Sequence, residues 1–319
     1  MSIAKRSEII FLYDIAWGNP NGDPNDANKP RIDVETGLNI VTDVRLKRTV
    51  RDELIARGYE ILVKDTMTES RTLADGKHRG MDFLSESGKV KANKKGDKEK
   101  LTQEELEAFK NNVKQCVDIR MFGCVLPSDI KNASLQYTGP VQFKMGYSMH
   151  PVKLEFVKGT GAFASGEGKD QKTFRQEYFL PYSLINFYGI VNDRAAEYTG
   201  LTEHDVTLLL DALWSGTRNL ITRTKAGQVP RLLISVSYRA KDFYIGGLDK
   251  KIKFEYAMSG EAVRAISDGE IQFDKLIECL VNNKEHIDTV TIRIDSELKS
   301  DIDLVEELKK SGIRVDVIA

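Results

Sequence analysis

Residues 8–52 read EIIFLYDIAWGNPNGDPNDANKPRIDVETGLNIVTDVRLKRTVRD, and three textures follow one another within them. In the first, Ile9, Phe11, Tyr13, Ile15 and Trp17 share one face of an alternating run, opposite a mixed face of Ile10, Leu12, Asp14 and Ala16. That alternation predicts a central strand buried on at least one side. The same aromatics would suit a platform for stacked bases, although the glycine–aromatic signature of RNA-recognition strands is absent. Residues 18–41 predict a long loop, dense in Asn, Asp and Gly and stiffened by Pro20, Pro24 and Pro30. Asn19, Asn21, Asp23 and Asn25 alternate as calcium ligands do, but the late bidentate Glu of a calcium loop is missing, and tight-turn chemistry accounts for the composition. So long a loop is more often functional than idle, and Asp14, Asp23, Asp26 and Asp33 make a hydrolytic site conceivable.

The third texture is a helix from an N-cap at Thr42 to about Arg57, stopped by Gly58. Leu46, Val50 and Leu54 fall within an arc of about 80°. Lys47, Arg51, Arg48 and Arg45 follow one another around the adjoining side, with Asp52 among them. An ordered cationic strip predicts contact with the phosphates of a polyanion; the alternative is a solvated helix face.

Downstream, residues 85–100 are rich in Lys and Gly and predict a mobile surface loop. Thr102 and Glu105 form a capping box for a helix through about Gln115, and DIRMFGCVL follows at 118–126. Residues 135–157 read as strands interrupted at Gly139-Pro140 and Pro151. The Gly-rich segment 158–178 fails as a phosphate loop, since Phe163 and Asp170 stand where a Gly and a Ser or Thr are required. It predicts a long hairpin instead, followed by another strand over 179–191. Thr202 caps a second helix carrying Val206, Leu209, Leu210 and Leu213 at core spacing. A second basic concentration, Arg218, Arg223, Lys225 and Arg231, surrounds a turn at Ala226-Gly227 before a strand with Leu232, Ile234, Val236 and Tyr238 facing inward. The tail, 287–319, predicts strand–helix–strand ended by Gly312 before its last strand, with no composition break to mark a separate domain.

The 319 residues carry a net charge of −1, spread as about +4 over residues 1–240 and about −5 over 241–319. That argues against indiscriminate coating of nucleic acid and leaves acidic surface for a basic partner, including a second copy. Cys116, Cys124 and Cys279 are odd in number and lack CxxC spacing, as reduced thiols do. The four histidines are scattered, and no metal or cofactor pattern emerges. Neither a signal-peptide pattern nor a long apolar run is present, so a cytoplasmic protein without a membrane partner is expected.

GNPNGDPNDANKPRIDVETG followed by LNIVTDVRLKRTVRD closely resembles the start of the backbone subunits of Cascade, the Cas-seven family of CRISPR defence, with the I-B and I-C branches nearest. DIRMFGCVL, TGPVQF, the HPV tripeptide and YFLPYSLINFYGIV occur in the family's order, and the resemblance extends to about residue 240. It implies an α+β chain: one RNA-recognition-like (ferredoxin-like) palm across residues 1–319, with a helical and loop insertion at 59–115 and a projecting hairpin, the thumb, at 158–176. It also implies a non-enzymatic subunit that binds CRISPR RNA without reading its sequence and polymerises along it beside other Cascade subunits. Target DNA would then be recognised through guide pairing. Carried over residue by residue, Arg45, Lys47, Arg48 and Arg51 match the basic palm helix, and Arg223, Lys225 and Gln228 match more loosely a turn before a core strand. Phe163 or Phe174 in the hairpin, and Met145 before it, are candidates to tuck between bases. The alternative is an RNA-cleaving subunit of the type III kind, using Asp23, Asp26 or Asp33.

Overall fold

The computed structural model describes residues 3, 5–66, 76–85, 100–164 and 172–318. Strand β1, Ser7–Gly18, forms the middle of an 11-stranded mixed sheet, and every residue from Ser7 to Ile15 is buried. Its two faces feed two cores. Ile9, Phe11, Tyr13 and Ile15 pack beneath the helices of one layer, while Ile10 and Leu12 meet a second layer supplied by the C-terminal quarter of the chain. The expected alternation therefore holds as far as Ile15. At Trp17 the backbone turns left-handed, with φ 49°, and the indole is 61% exposed.

The expected long loop is partly strand. Gly22–Asp23 (β2), Lys29–Ile32 (β3) and Leu38–Val41 (β4) extend one edge of the sheet. The turns between them use the Asx chemistry of the sequence. Asp23 accepts the Asn25 amide at 2.9 Å, and Asp33 accepts the Glu35 amide at 3.1 Å and the Thr36 hydroxyl at 2.7 Å. Helix α1, Asp43–Ala56, begins at Thr42, whose hydroxyl accepts the Arg45 amide at 3.3 Å and donates to Asn21 Oδ1 at 2.9 Å. Thr42→Ala removes both bonds at once. It is expected to lower unfolding free energy by about 1–2 kcal/mol, read as a drop in urea midpoint at unchanged slope.

Between α1 and the next sheet strands lies an inserted unit with its own core. It comprises α2 (Gly76–Ser85), α3 (Gln103–Gln115, with the Thr102–Glu105 capping box), α4 (Val117–Phe122), and the hairpin of β5 (Gly123–Leu126) with β6 (Leu135–Thr138). Phe83, Phe109 and Val113 pack with Leu126 and Leu135, so this core continues past residue 115 into the hairpin. Asp118, fully buried, accepts the Leu62 and Val63 amides and ties the unit to α1 through Arg51. Most of the Lys-rich stretch, residues 86–99, lies outside the described residues.

Val141–Phe143 (β7) and Gly146–Pro151 (β8) return to the sheet as expected. Glu155–Ala164 (β9) then pairs antiparallel with Lys172–Val191 (β10). The ladder starts at Glu155↔Phe179, before residue 158, and the tip, 165–171, lies outside the described residues. The hairpin arm and the strand expected at 179–191 prove to be one continuous strand of 20 residues, paired with β9 at one end and β1 at the other. After α5 (Asp193–Thr199), α6 (Glu203–Arg218) lies against α1. A Cβ at Gly216 would sit 3.0 Å from the Thr49 carbonyl, so a side chain there would be tightly crowded and glycine eases the approach.

Val229–Tyr238 (β11) pairs with the other side of β1. Lys253–Tyr256 (β12), Gly269–Gln272 (β13) and α7 (Asp274–Asn282) then cover the second sheet face. The tail folds as its pattern predicts: β14 (Ile287–Ile294), α8 (Leu304–Lys310) and β15 (Val315–Val317), the two strands parallel. Buried Glu8 fastens this layer, accepting the hydroxyls of Tyr188 and Tyr238 and the amides of Ile245 and Gly246. The chain is thus α+β with a large mixed sheet. No helix among the described residues is long and apolar enough to cross a membrane.

Candidate functional site

The four cations of α1 have different surroundings. Lys47 is paired with Asp43 at 3.0 Å and reaches Gln142 at 3.3 Å. Arg48 is held by Asp52 at 2.7 Å and Asp65 at 3.3 Å. Arg51 binds buried Asp118 at 2.9 Å and lies over the Phe122 ring. These three cations are answered by acids, two of which come from outside the helix. Arg45 forms no ion pair among the described residues, and its Nη2 is buried without a hydrogen-bond partner.

Arg45 instead lines a cleft of about 480 Å3 with Asn19, Asn28, Tyr178, Arg223 and Lys225. The ladder between β1 and β11 brings its walls together. The Asn19 amide donates to the Thr224 carbonyl at 2.7 Å, and a Cβ at Gly18 would lie 2.9 Å from that same oxygen. Across the opening, Asn19 Nδ2 donates to the Asn28 carbonyl at 2.7 Å. Ala27 and Asn28 hold left-handed backbones, φ 47° and 56°, conformations that cost non-glycine residues energy. Lys225 is carried on a turn in which its own amide and that of Ala226 donate to the Thr222 carbonyl.

Burial pushes the guanidinium pKa of Arg45 down, with the neighbouring Tyr13 hydroxyl opposing the shift. Burial also lowers the Lys225 ammonium, and the positive charge of Arg45 lowers it further. Two sheltered cations that repel one another, neither in an ion pair among the described residues, are expensive to hold in a fold, and Glu177, the acid that also lines the cleft, is bonded to Arg223. An anion entering the cleft offsets that cost and accepts the idle donors. Arg223 differs, being neutralised by Glu177 at 2.8 Å. Gln228 is buried just beyond the turn with Nε2 unpartnered, and Asn19 Oδ1 is likewise idle. The arrangement offers donors and acceptors that match an anionic group able to accept and donate hydrogen bonds, as a sugar–phosphate is.

The remaining candidates lie elsewhere. The side chains of Phe163 and Phe174 lie outside the described residues. Met145 is half-exposed beside a different cavity, with Tyr147, Asn186 and Lys253. The loop acids are engaged: Asp14 with Tyr182 and Arg231, Asp26 with Lys29, Asp23 and Asp33 in their turns. Among the described residues no group of three or more His, Cys, Asp or Glu could hold a metal. Burial pushes the Cys116 thiol up to about 12 and Cys124 to about 11, which keeps both in the unreactive protonated form.

Sequence reading missed Asn19, Asn28 and Tyr178 as residues that share a cleft with Arg45. The signal was the Asn-rich loop itself, which turn chemistry explains only in part.

A family model described as CRISPR-associated protein Cas7 matches residues 5–274. The chain belongs to the Cas7 family. The CRISPR-associated protein Cas7 of Haloferax volcanii is 33% identical over 326 residues, covering 95% of this chain and 90% of that protein. Two solved chains share the fold. One, described as a CRISPR RNA-guided surveillance complex, pre-nicking, has a TM-score of 0.55 and 18% identity over 96% of this chain and 99% of its own. The other, a CRISPR RNA-guided surveillance complex, has 0.51 and 16% over 96% and 98%. The resemblance read from the opening loop and helix is therefore a true family membership. All four pieces of the cleft, the 19–28 loop, Arg45, residues 176–178 of β10 and the 222–225 turn, lie inside the Cas7 match, whereas β14, α8 and β15 lie beyond it.

Proposed function

We propose that this Cas7 chain is a non-enzymatic backbone subunit that grips a CRISPR RNA by its sugar–phosphate chain. The observation that carries the reading is the convergence in one cleft of Arg45 and Lys225, neither of them in an ion pair among the described residues. Contacts to phosphate and sugar position a nucleic acid without reading it, which is what a subunit repeated along any guide requires. In this reading β1, β10 and β11 with α1 and α6 are the RNA-recognition-like palm. The β9–β10 hairpin is the thumb that reaches the next copy. Several copies line the guide as a helical filament in the cytoplasm, within a type I-B-like Cascade, and target DNA is recognised by pairing with the held RNA. The solved complexes of similar fold are described as RNA-guided. That the loop carboxylates serve turns and a buried ion pair favours holding over cutting.

Size-exclusion chromatography of the protein co-expressed with a guide, followed at two wavelengths, tests this. A 260 nm excess that salt strips away is expected, since each phosphate contact releases counterions. An assembly with no nucleic-acid absorbance would sink the reading. Incubation with Mg²⁺ and a guide-paired RNA target is expected to leave the target whole; cutting that disappears in Asp33→Ala would make the subunit an RNase instead.

A further inference from the structure

The last residue of the apolar series on β1 breaks the pattern twice over. Ile9, Phe11, Tyr13 and Ile15 are buried beneath the helical layer, yet Trp17, next in the same alternation, is 61% exposed. Its backbone is left-handed at φ 49°, a genuine outlier for a bulky residue. An isolated exposed Trp needs no explanation. A Trp held outward by a strained backbone does, because relaxing to the extended conformation would return it to the strand's regular alternation.

Its neighbours indicate what the exposure serves. Trp17 directly precedes Gly18 and Asn19, the first packed on the Thr224 carbonyl and the second bonded to it. Thr224 and Asn19 both line the cationic cleft. Ile221, 92% exposed, heads the turn that supplies the opposite wall. Exposed apolar side chains thus stand one or two positions along the chain from residues on two walls of a cleft that holds Arg45 and Lys225, the pairing that a nucleotide satisfies with its base on one and its phosphate on the other.

We propose that Trp17 is a base-stacking platform: the nucleotide whose phosphate enters the Arg45–Lys225 cleft lays its base on the Trp17 indole. The inference rests on the RNA-binding reading and adds to it a contact through the base. Every base has a π-face, so the contact adds affinity without adding sequence preference.

The test uses nucleic-acid-free full-length protein with a short oligouridine and with the same sugar–phosphate chain lacking bases. Wild type is expected to bind oligouridine more tightly. Trp17→Ala is expected to weaken oligouridine about 5- to 100-fold, the worth of one stacked base, and to leave the abasic chain unaffected. Trp17→Phe keeps a ring and is expected to recover most of the loss. Equal weakening of both probes, or of neither, overturns the proposal, as does a Trp17→Ala variant whose only change is a smaller assembly, which would make Trp17 a contact between copies. If wild type binds neither probe, the RNA-binding reading falls first, and this proposal with it. Fluorescence gives a second readout, because the chain's other tryptophan, Trp214, is buried at 3% exposure. In Trp214→Phe, oligouridine should quench the remaining emission and the abasic chain should not; unquenched emission at saturation overturns the proposal.

Discussion

Arg45→Glu is expected to weaken guide-RNA binding by about 10- to 100-fold and to flatten its salt dependence by about one unit for each phosphate no longer neutralised. The size follows from the site. A charge-assisted hydrogen bond is worth about 1.5–3 kcal/mol, and Arg45 reaches its cleft with no carboxylate to give up first. The reversed charge would also face Lys225, giving that ammonium an internal partner and closing the cleft to phosphate. The contrasting variant is Arg48→Glu on the same helix. Its guanidinium is already answered by Asp52 and Asp65, and exposed pairs contribute little, so a change of at most a few-fold is expected. Titrations by fluorescence anisotropy at several salt concentrations separate the two. If Arg48→Glu costs as much as Arg45→Glu, the whole basic strip contacts RNA and the cleft has no special place.

Arg231→Ala is expected to cost about 3–5 kcal/mol of stability, the usual result of stripping the partner from a buried charge. Arg231 leaves β11 beside β1 and donates to buried Asp14 at 2.9 Å, while its other end meets Asp295 and Glu297 beyond β14. It joins β11 to β1 and to the loop that follows β14. Asp14 is held up by burial, with Arg231 and the Tyr182 hydroxyl opposing the shift. An acid whose folded pKa lies above its unfolded value penalises the folded state as pH rises through that folded pKa, and the penalty vanishes below the unfolded value. Without Arg231 the Asp14 pKa climbs further. The deficit of Arg231→Ala relative to wild type should therefore shrink as the pH is lowered toward the ordinary carboxylate range. Urea unfolding at neutral and at mildly acidic pH measures it; a deficit that grows on acidification would show that Asp14 is not the group left stranded.

Much of this protein is legible along the chain. Thr42, Thr102 and Thr202 announce their helices because a cap acts on amides two or three residues away. The strand at β1 is visible because the large apolar residues Ile9, Phe11, Tyr13 and Ile15 recur at every second position. The tail reads correctly for the same reason, each element being a local periodicity. Less legible was the continuity of β10: its glycine-bounded arm looked like a hairpin of its own, and only pairing with β9 and β1 in turn makes it one strand. The loop at 18–41 looked structureless because strands of two to four residues are too short to show a period.

The amino-acid order by itself determined the longer helices and their caps, the strand β1, the tail, the location of the cationic helix and the family, since each rests on residues a few positions apart or on motifs read in sequence. Tertiary structure alone decided which cations are available. Along the chain Arg45, Lys47, Arg48 and Arg51 are equivalent basic residues. In space, Asp118, 67 positions beyond Arg51, neutralises that residue, while the strand ladders bring the 222–225 turn into one cleft with Arg45, where the lining acid Glu177 pairs with Arg223 rather than with Arg45 or Lys225. Charge acts through distance and burial, and both are set by contacts between residues far apart in the chain.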